Sequence, residues 1–178
     1  VQERWRLIRA GKMDEAVDLA LSWTPFPATV CGYLCPNPCM QACTRQSAFM
    51  MPLDVSALGR ASMAAHDPEL PPESGKQVAV IGAGPAGISV AWQLRRRGHR
   101  AVLVDREKTL GGKIAALIPE SRIPKEVVAA ELERIRRVLP HHRLGEALTR
   151  EAFEKLEDEH DFVVVAVLLQ SLGLELGI

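Results

Sequence analysis

Helical periodicity through the first 66 residues, a proline-rich polar stretch at 67–76, and a strand, glycine turn, helix and second strand following from Gln77 predict an α/β protein. The expected order is an all-helical N-terminal domain over 1–66, a linker over 67–76, and a Rossmann-like nucleotide-binding domain over 77–167. Residues 168–178, LLQSLGLELGI, read as discontinuous with the preceding strand, so the second domain is expected to be incomplete and this tail is assigned no role. The chain has 178 residues, of which 47% are hydrophobic, enough for a packed core. Its 22 acidic and 22 basic residues balance, so no overall field recruits nucleic acid or an anionic membrane. No run approaches the roughly 18–20 apolar residues of a membrane span, and VQERWRLIRAGK lacks the apolar stretch of a signal peptide. A cytoplasmic, reducing compartment is expected, and Val1 in place of Met reads as part of a longer chain.

In the first part, Trp5, Ile8, Met13, Ala16, Val17 and Ala20 recur at spacings that predict one or two short amphipathic helices broken near Gly11. Trp23 to Pro27 holds two prolines and is expected to be extended. Pro52 is placed in the first turn of a helix running through Leu53, Ala57, Leu58, Ala61 and Ala65. Beyond the linker, Gln77–Ile81 is a strand, 88–97 a helix stopped by Gly98, and 101–104 a second strand. Arg95, Arg96 and Arg97 are expected to form the solvated end of that helix. Helices over 126–139 and 151–159 and a strand over 162–167 complete the reading.

All the cysteines fall in CGYLCPNPCMQACTR: Cys31, Cys35, Cys39 and Cys43, at equal four-residue steps. In a reducing setting such a run points to metal or redox chemistry rather than disulfides. Zinc sites usually present two tight pairs separated by a longer excursion, whereas iron–sulfur ligation uses short gaps and often a neighbouring proline. Pro36 and Pro38 interrupt the helix that four-residue spacing would otherwise form. Iron–sulfur and zinc both remain open on this pattern.

QVAVIGAGPAGISVAWQLRRRGHRAVLVD carries the dinucleotide fingerprint in context, with Gly82, Gly84 and Gly87 between strand and helix and Asp105 at the end of the next strand. Gly82 permits the turn, Gly84 the approach of a pyrophosphate, and Gly87 close helix–strand packing, while Asp105 is expected to accept from ribose hydroxyls. The fingerprint alone leaves FAD and NAD(P) open. Gly111 and Gly112, in LGGKIAALIPESRIPKEV, offer a second close backbone approach suited to a ligand that extends past its adenosine half.

TPFPATVCGYLCPNPCMQAC, VAVIGAGPAGISVAWQLRRRGH and LGGKIAALIPESRIPKEVV, in this order over residues 23 to about 140, resemble the small (beta) subunit of bacterial glutamate synthase and its relatives. Those relatives include the N-terminal half of dihydropyrimidine dehydrogenase and the flavoprotein subunit of electron-bifurcating transhydrogenase. The resemblance implies a helical domain that binds [4Fe-4S] clusters, then a domain that binds FAD, in a cytoplasmic oxidoreductase subunit linked to NAD(P)H and a redox partner subunit. Cys35, Cys39 and Cys43 match cluster ligands in the family's pattern and Cys31 matches a frequent cysteine of that loop. An earlier cysteine group of the relatives is absent here, so one or two clusters would take further ligands from outside this chain. The implied cofactor-binding set is Gly82, Gly84, Pro85, Ala86, Gly87, Asp105, Arg106, Gly111, Gly112 and Ile118, and Arg122 matches an arginine close to the reactive edge of the flavin. The competing reading is a non-catalytic, zinc-stabilised adaptor with a vestigial nucleotide-binding fold.

Overall fold

The computed structural model describes residues 2–64 and 66–167. Two compact units emerge: residues up to Pro68 together with Pro119–Glu131, and Glu69–Ile118 together with the described residues from Leu132 onward.

In the first unit, α1 (Gln2–Arg9) and α2 (Met13–Leu21) are separated by the turn at Gly11, as their apolar spacing predicts. α2 buries Ala16, Val17, Ala20 and Leu21 on one face. The buried residue of α1 is Arg4 rather than Trp5: its Nε donates to Ala16 O over 3.1 Å and its Nη2 to Leu58 O over 3.2 Å. Backbone carbonyls thus replace water around a guanidinium, a long-range arrangement that periodicity does not reveal. A π-helical segment, Ala28–Leu34, carries Cys31, and α3 (Pro38–Gln41) carries Cys39. α4 (Val55–Ala61) begins later than expected, because Asp54 rather than Pro52 marks its start: the Asp54 carboxylate accepts from Ala57 N–H over 2.8 Å. Ala65 lies outside the described residues. At Gly59 an added Cβ would stand 2.5 Å from Gly32 N, so α4 and the cysteine-bearing segment approach backbone to backbone.

The second unit is a parallel sheet of β1 (Gln77–Ile81), β2 (Arg100–Asp105), β3 (His142–Leu144) and β4 (Phe162–Val165), ordered β3-β2-β1-β4. Register is set by pairs such as Ala79↔Val102 and Ala79↔Val163. That order matches one half of a doubly wound nucleotide-binding sheet. α5 (Pro85–Arg95) crosses from β1 to β2, α6 (Lys113–Leu117) follows β2, and α8 (Arg150–Glu159) precedes β4. Alternation divides the strands: Ala79, Ile81, Val102 and Val104 pack with Leu148 and Leu156, while Val80 faces Gly87 on α5. Trp92 of α5 is fully buried. At the end of α5, Arg97 Nη1 donates to Gln93 O over 2.8 Å, and Arg95 and Arg96 are only part-exposed.

α7 (Lys125–Val138) spans the two units. Sequence reading placed all of 77–167 in one domain, but residues 119–131 associate with the helical unit. Glu131 is the reason: fully buried, it accepts from Ala28 N–H over 2.7 Å and Thr29 N–H over 2.9 Å. Among the described residues no helix is long and apolar enough to cross a membrane.

Candidate functional site

The β1–α5 turn is shaped by what its glycines lack. Gly82 has φ +108, and an added Cβ would lie 2.7 Å from Ala166 O. At Gly87 a Cβ would overlap the carbonyl oxygen of Gly82, so the helix can enter close to the strand only without a side chain there. Gly84, at the N-cap of α5, has open space where its Cβ would be. Packing therefore fixes Gly82 and Gly87, whereas Gly84 leaves room for a ligand.

The second glycine pair lies against the first. Gly111 N–H donates to Ala83 O over 2.9 Å, and a Cβ on Gly112 would stand 3.0 Å from Gly84 Cα. Asp105 closes the arrangement from the end of β2: its Oδ2 accepts from Ala83 N–H over 2.5 Å and its Oδ1 from Glu107 N–H over 2.8 Å. The carboxylate expected to meet a ribose thus also holds the glycine turn in place.

These residues border a cavity of about 860 Å³ at the C-terminal ends of the strands. This is the position and size of a nucleotide or small-molecule site. Gly82, Gly84, Pro85, Ala86, Asp105, Arg106 and Gly112 line it, Gly87 and Gly111 support those linings from behind, and Ile118 caps the end of α6. Sequence reading missed Glu107, Thr109, Lys113, Glu146 and Leu148 in the lining. Glu146 arrives because its N–H donates to Asp105 O over 3.1 Å, after a strand too short to show a period. A long ligand with a pyrophosphate fits this cradle: Gly84 gives space at the positive end of an 11-residue helix, and the cavity continues past Asp105 to α6.

Arg122 belongs to the other unit, exposed in a turn where its N–H donates to Pro119 O over 2.9 Å.

The four cysteines are free thiols. Burial, foremost, pushes the Cys31 thiol up, with Cys35 and Cys39 adding to it and the Arg4 guanidinium opposing. Backbone N–H groups of Leu53 and Arg45, and more weakly Gln46, hold Cys43 below the usual thiol range. Cys35 Sγ accepts from Asn37 N–H over 3.4 Å, and Cys39 is exposed. Backbone donors on sulfur suit thiolate ligation. The placement does not complete a ligand set: among the described residues, no three His, Cys, Asp or Glu side chains are arranged to hold a metal ion.

The NAD(P)-binding Rossmann-like domain family matches residues 80–123. The NADPH glutamate synthase small chain of Mycobacterium tuberculosis is 30% identical over 167 residues, 90% of this chain and 34% of that protein. The beta subunit of the NADPH-Fe(3+) oxidoreductase of Geobacter sulfurreducens is 31% identical, covering 89% of this chain and 25% of its own length. The NADP(+)-dependent formate dehydrogenase beta subunit of Moorella thermoacetica is 28% identical, with 92% and 27% covered. The chain spans between a quarter and about a third of the length of these curated relatives. With likeness over about nine-tenths of its length, the chain is a homologue of the glutamate synthase small chain and of these two beta subunits.

Proposed function

We propose that the chain is the flavin- and cluster-bearing part of an NAD(P)H-linked oxidoreductase subunit that passes electrons to a partner subunit in the cytoplasm. The observation that carries this reading is the cavity at Gly84 and Gly112, where two backbone segments meet beside a helix N-terminus. FAD bound there would supply the junction between two-electron and one-electron chemistry. The chain's own contribution is positioning. The α5 N-terminus and Gly84 receive the pyrophosphate, and Asp105, braced by two backbone N–H groups, offers its remaining lone pairs to ribose hydroxyls. Arg122 is proposed to favour the anionic reduced flavin by its charge.

Cys35, Cys39 and Cys43, with Cys31, are proposed as thiolate ligands for iron–sulfur clusters completed by ligands from outside this chain. The hydrogen bonds to Cys35 and Cys43 support that assignment.

A second reading has the same cavity take NAD(P)H directly, favoured by the family match over 80–123 and the NADPH in the relatives' names. Anaerobically purified protein decides between them: released cofactor is identified by absorbance and mass, and iron, acid-labile sulfide and zinc are measured. One FAD per chain with iron and sulfide is expected. Nicotinamide as the only nucleotide would overturn the flavin assignment, and stoichiometric zinc without sulfide would return the chain to the adaptor reading. Arg122→Met is expected to lower the flavin potential with FAD retained.

A further inference from the structure

The parallel sheet has a second cavity, of about 470 Å³, at the opposite ends of its strands. Gln77 opens β1, Arg100 opens β2 and His142 opens β3, all lining it, so about 13 Å of β1 separates it from the glycine turn. Its other polar walls are His141, Arg143, Glu159 and His160.

Donors dominate this cavity. Arg100 Nε is buried without a hydrogen-bond partner, and its Nη2 lies 3.5 Å from His141 Nδ1. Arginine can only donate, so His141 accepts there and carries its proton on Nε2. Burial, then the Arg100 charge, holds His141 in this neutral form, with Arg95 and His142 acting the same way and Glu73 opposing. His160 Nδ1 lies 3.0 Å from Leu156 O, which can only accept, so this nitrogen is protonated. The one carboxylate in the lining is already engaged: Glu159 receives Arg143 Nη2 at 3.0 Å and has Lys155 Nζ at 3.7 Å. Arg100 makes no ion pair among the described residues, so its charge stands in this lining without a carboxylate of its own.

We propose that this cavity is a phosphate-binding site, separate from the dinucleotide cavity, in which Arg100 is the principal anchor and His141, His142 and His160 surround the ligand. Its donors come from the starts of β2 and β3, and His160, whose Nδ1–H is held by Leu156 O, adds one at Nε2 when its ring is protonated. A tetrahedral anion with several acceptor oxygens satisfies donors converging from separate elements, whereas a planar carboxylate pairs best with one guanidinium edge. The assignment is independent of which nucleotide fills the other cavity.

The chain holds five histidines, three of them in this lining. NMR of the imidazole resonances, on protein saturated with whichever nucleotide the other cavity takes, therefore reads the site directly. Millimolar inorganic phosphate is expected to move the signals of His141, His142 and His160 saturably and to leave His66 in place. Arg100→Gln is expected to weaken phosphate at least about tenfold, as loss of a charge-assisted donor does. The exposed His142→Gln provides a variant whose fold is not in question, and it too is expected to weaken binding. Tighter binding of adenosine monophosphate than of inorganic phosphate would support a nucleotide as the source, and the reverse would support free phosphate. Histidine signals that do not move, affinity unchanged in both variants, or citrate bound more tightly than either phosphate probe would overturn the proposal.

Discussion

Ala83 N–H donates to Asp105 Oδ2 over 2.5 Å, joining the glycine turn after β1 to the last residue of β2. The same carboxylate accepts from Glu107 N–H, so one side chain holds two of the backbone segments that line the cavity. Asp105→Ala removes both bonds to a charged acceptor and is expected to lower stability by about 2–4 kcal/mol. Urea unfolding of the flavin-free protein measures this without contribution from the ligand. An unchanged midpoint together with weaker flavin binding would assign Asp105 to the ligand alone.

The glycines of the fingerprint separate by role. Gly84→Val enters open space and is expected to fold while losing flavin, because the side chain takes the pyrophosphate's place. Gly87→Ala sets a Cβ against the Gly82 carbonyl and is expected to lose folded yield before ligand binding can be assayed. Circular dichroism and flavin content on the two proteins test the contrast, and equal fold loss in both would remove it.

Glu131 is a buried carboxylate that receives the N–H groups of Ala28 and Thr29 just ahead of Cys31. Glu131→Ala leaves those donors without this acceptor and is expected to cost about 2–5 kcal/mol, at about 1–3 kcal/mol for each buried N–H left unsatisfied. Amide exchange should accelerate at Ala28 and Thr29 first. Glu131→Gln keeps one acceptor oxygen and should lie between the two.

Lys76 Nζ lies 2.6 Å from Asp161 Oδ1, and Gln77 N–H donates to Oδ2 over 2.9 Å, pinning the entrance of β4 to that of β1. Lys76, foremost, and then the Gln77 N–H hold the Asp161 carboxyl below the usual carboxylate range. A depressed folded value contributes stability above the unfolded pKa, and that contribution disappears as pH falls through the folded value. Asp161→Asn is therefore expected to lower the urea midpoint at pH 7, with parent and variant converging below about pH 4. A gap that persists in acid would trace to lost shape rather than charge.

The sequence by itself determined the elements whose signal is local. Gln77–Ile81, GAGPAG and the helix to Arg95 are legible because a strand period, a glycine turn and a helix period adjoin without interruption. α1 and α2 followed from apolar spacing, and the place of the thiols along the chain from their four-residue steps. Tertiary structure decided what depends on partners distant in sequence. Arg4 is buried because carbonyls of Ala16 and Leu58 receive it, and Glu131 because Ala28 and Thr29 offer it their N–H groups across 103 and 102 residues. Both interrupt the apolar pattern of their helices, so periodicity counts them as surface. The three-residue β3 carries too short a run to show alternation, yet it brings His142 and Arg143 to one end of the sheet and leads to Glu146 at the other. Gly111 and Gly112 are visible as a pair in the sequence, but only folding sets them against Ala83 and Gly84, because hydrogen bonds and steric gaps between segments have no signature in either segment alone.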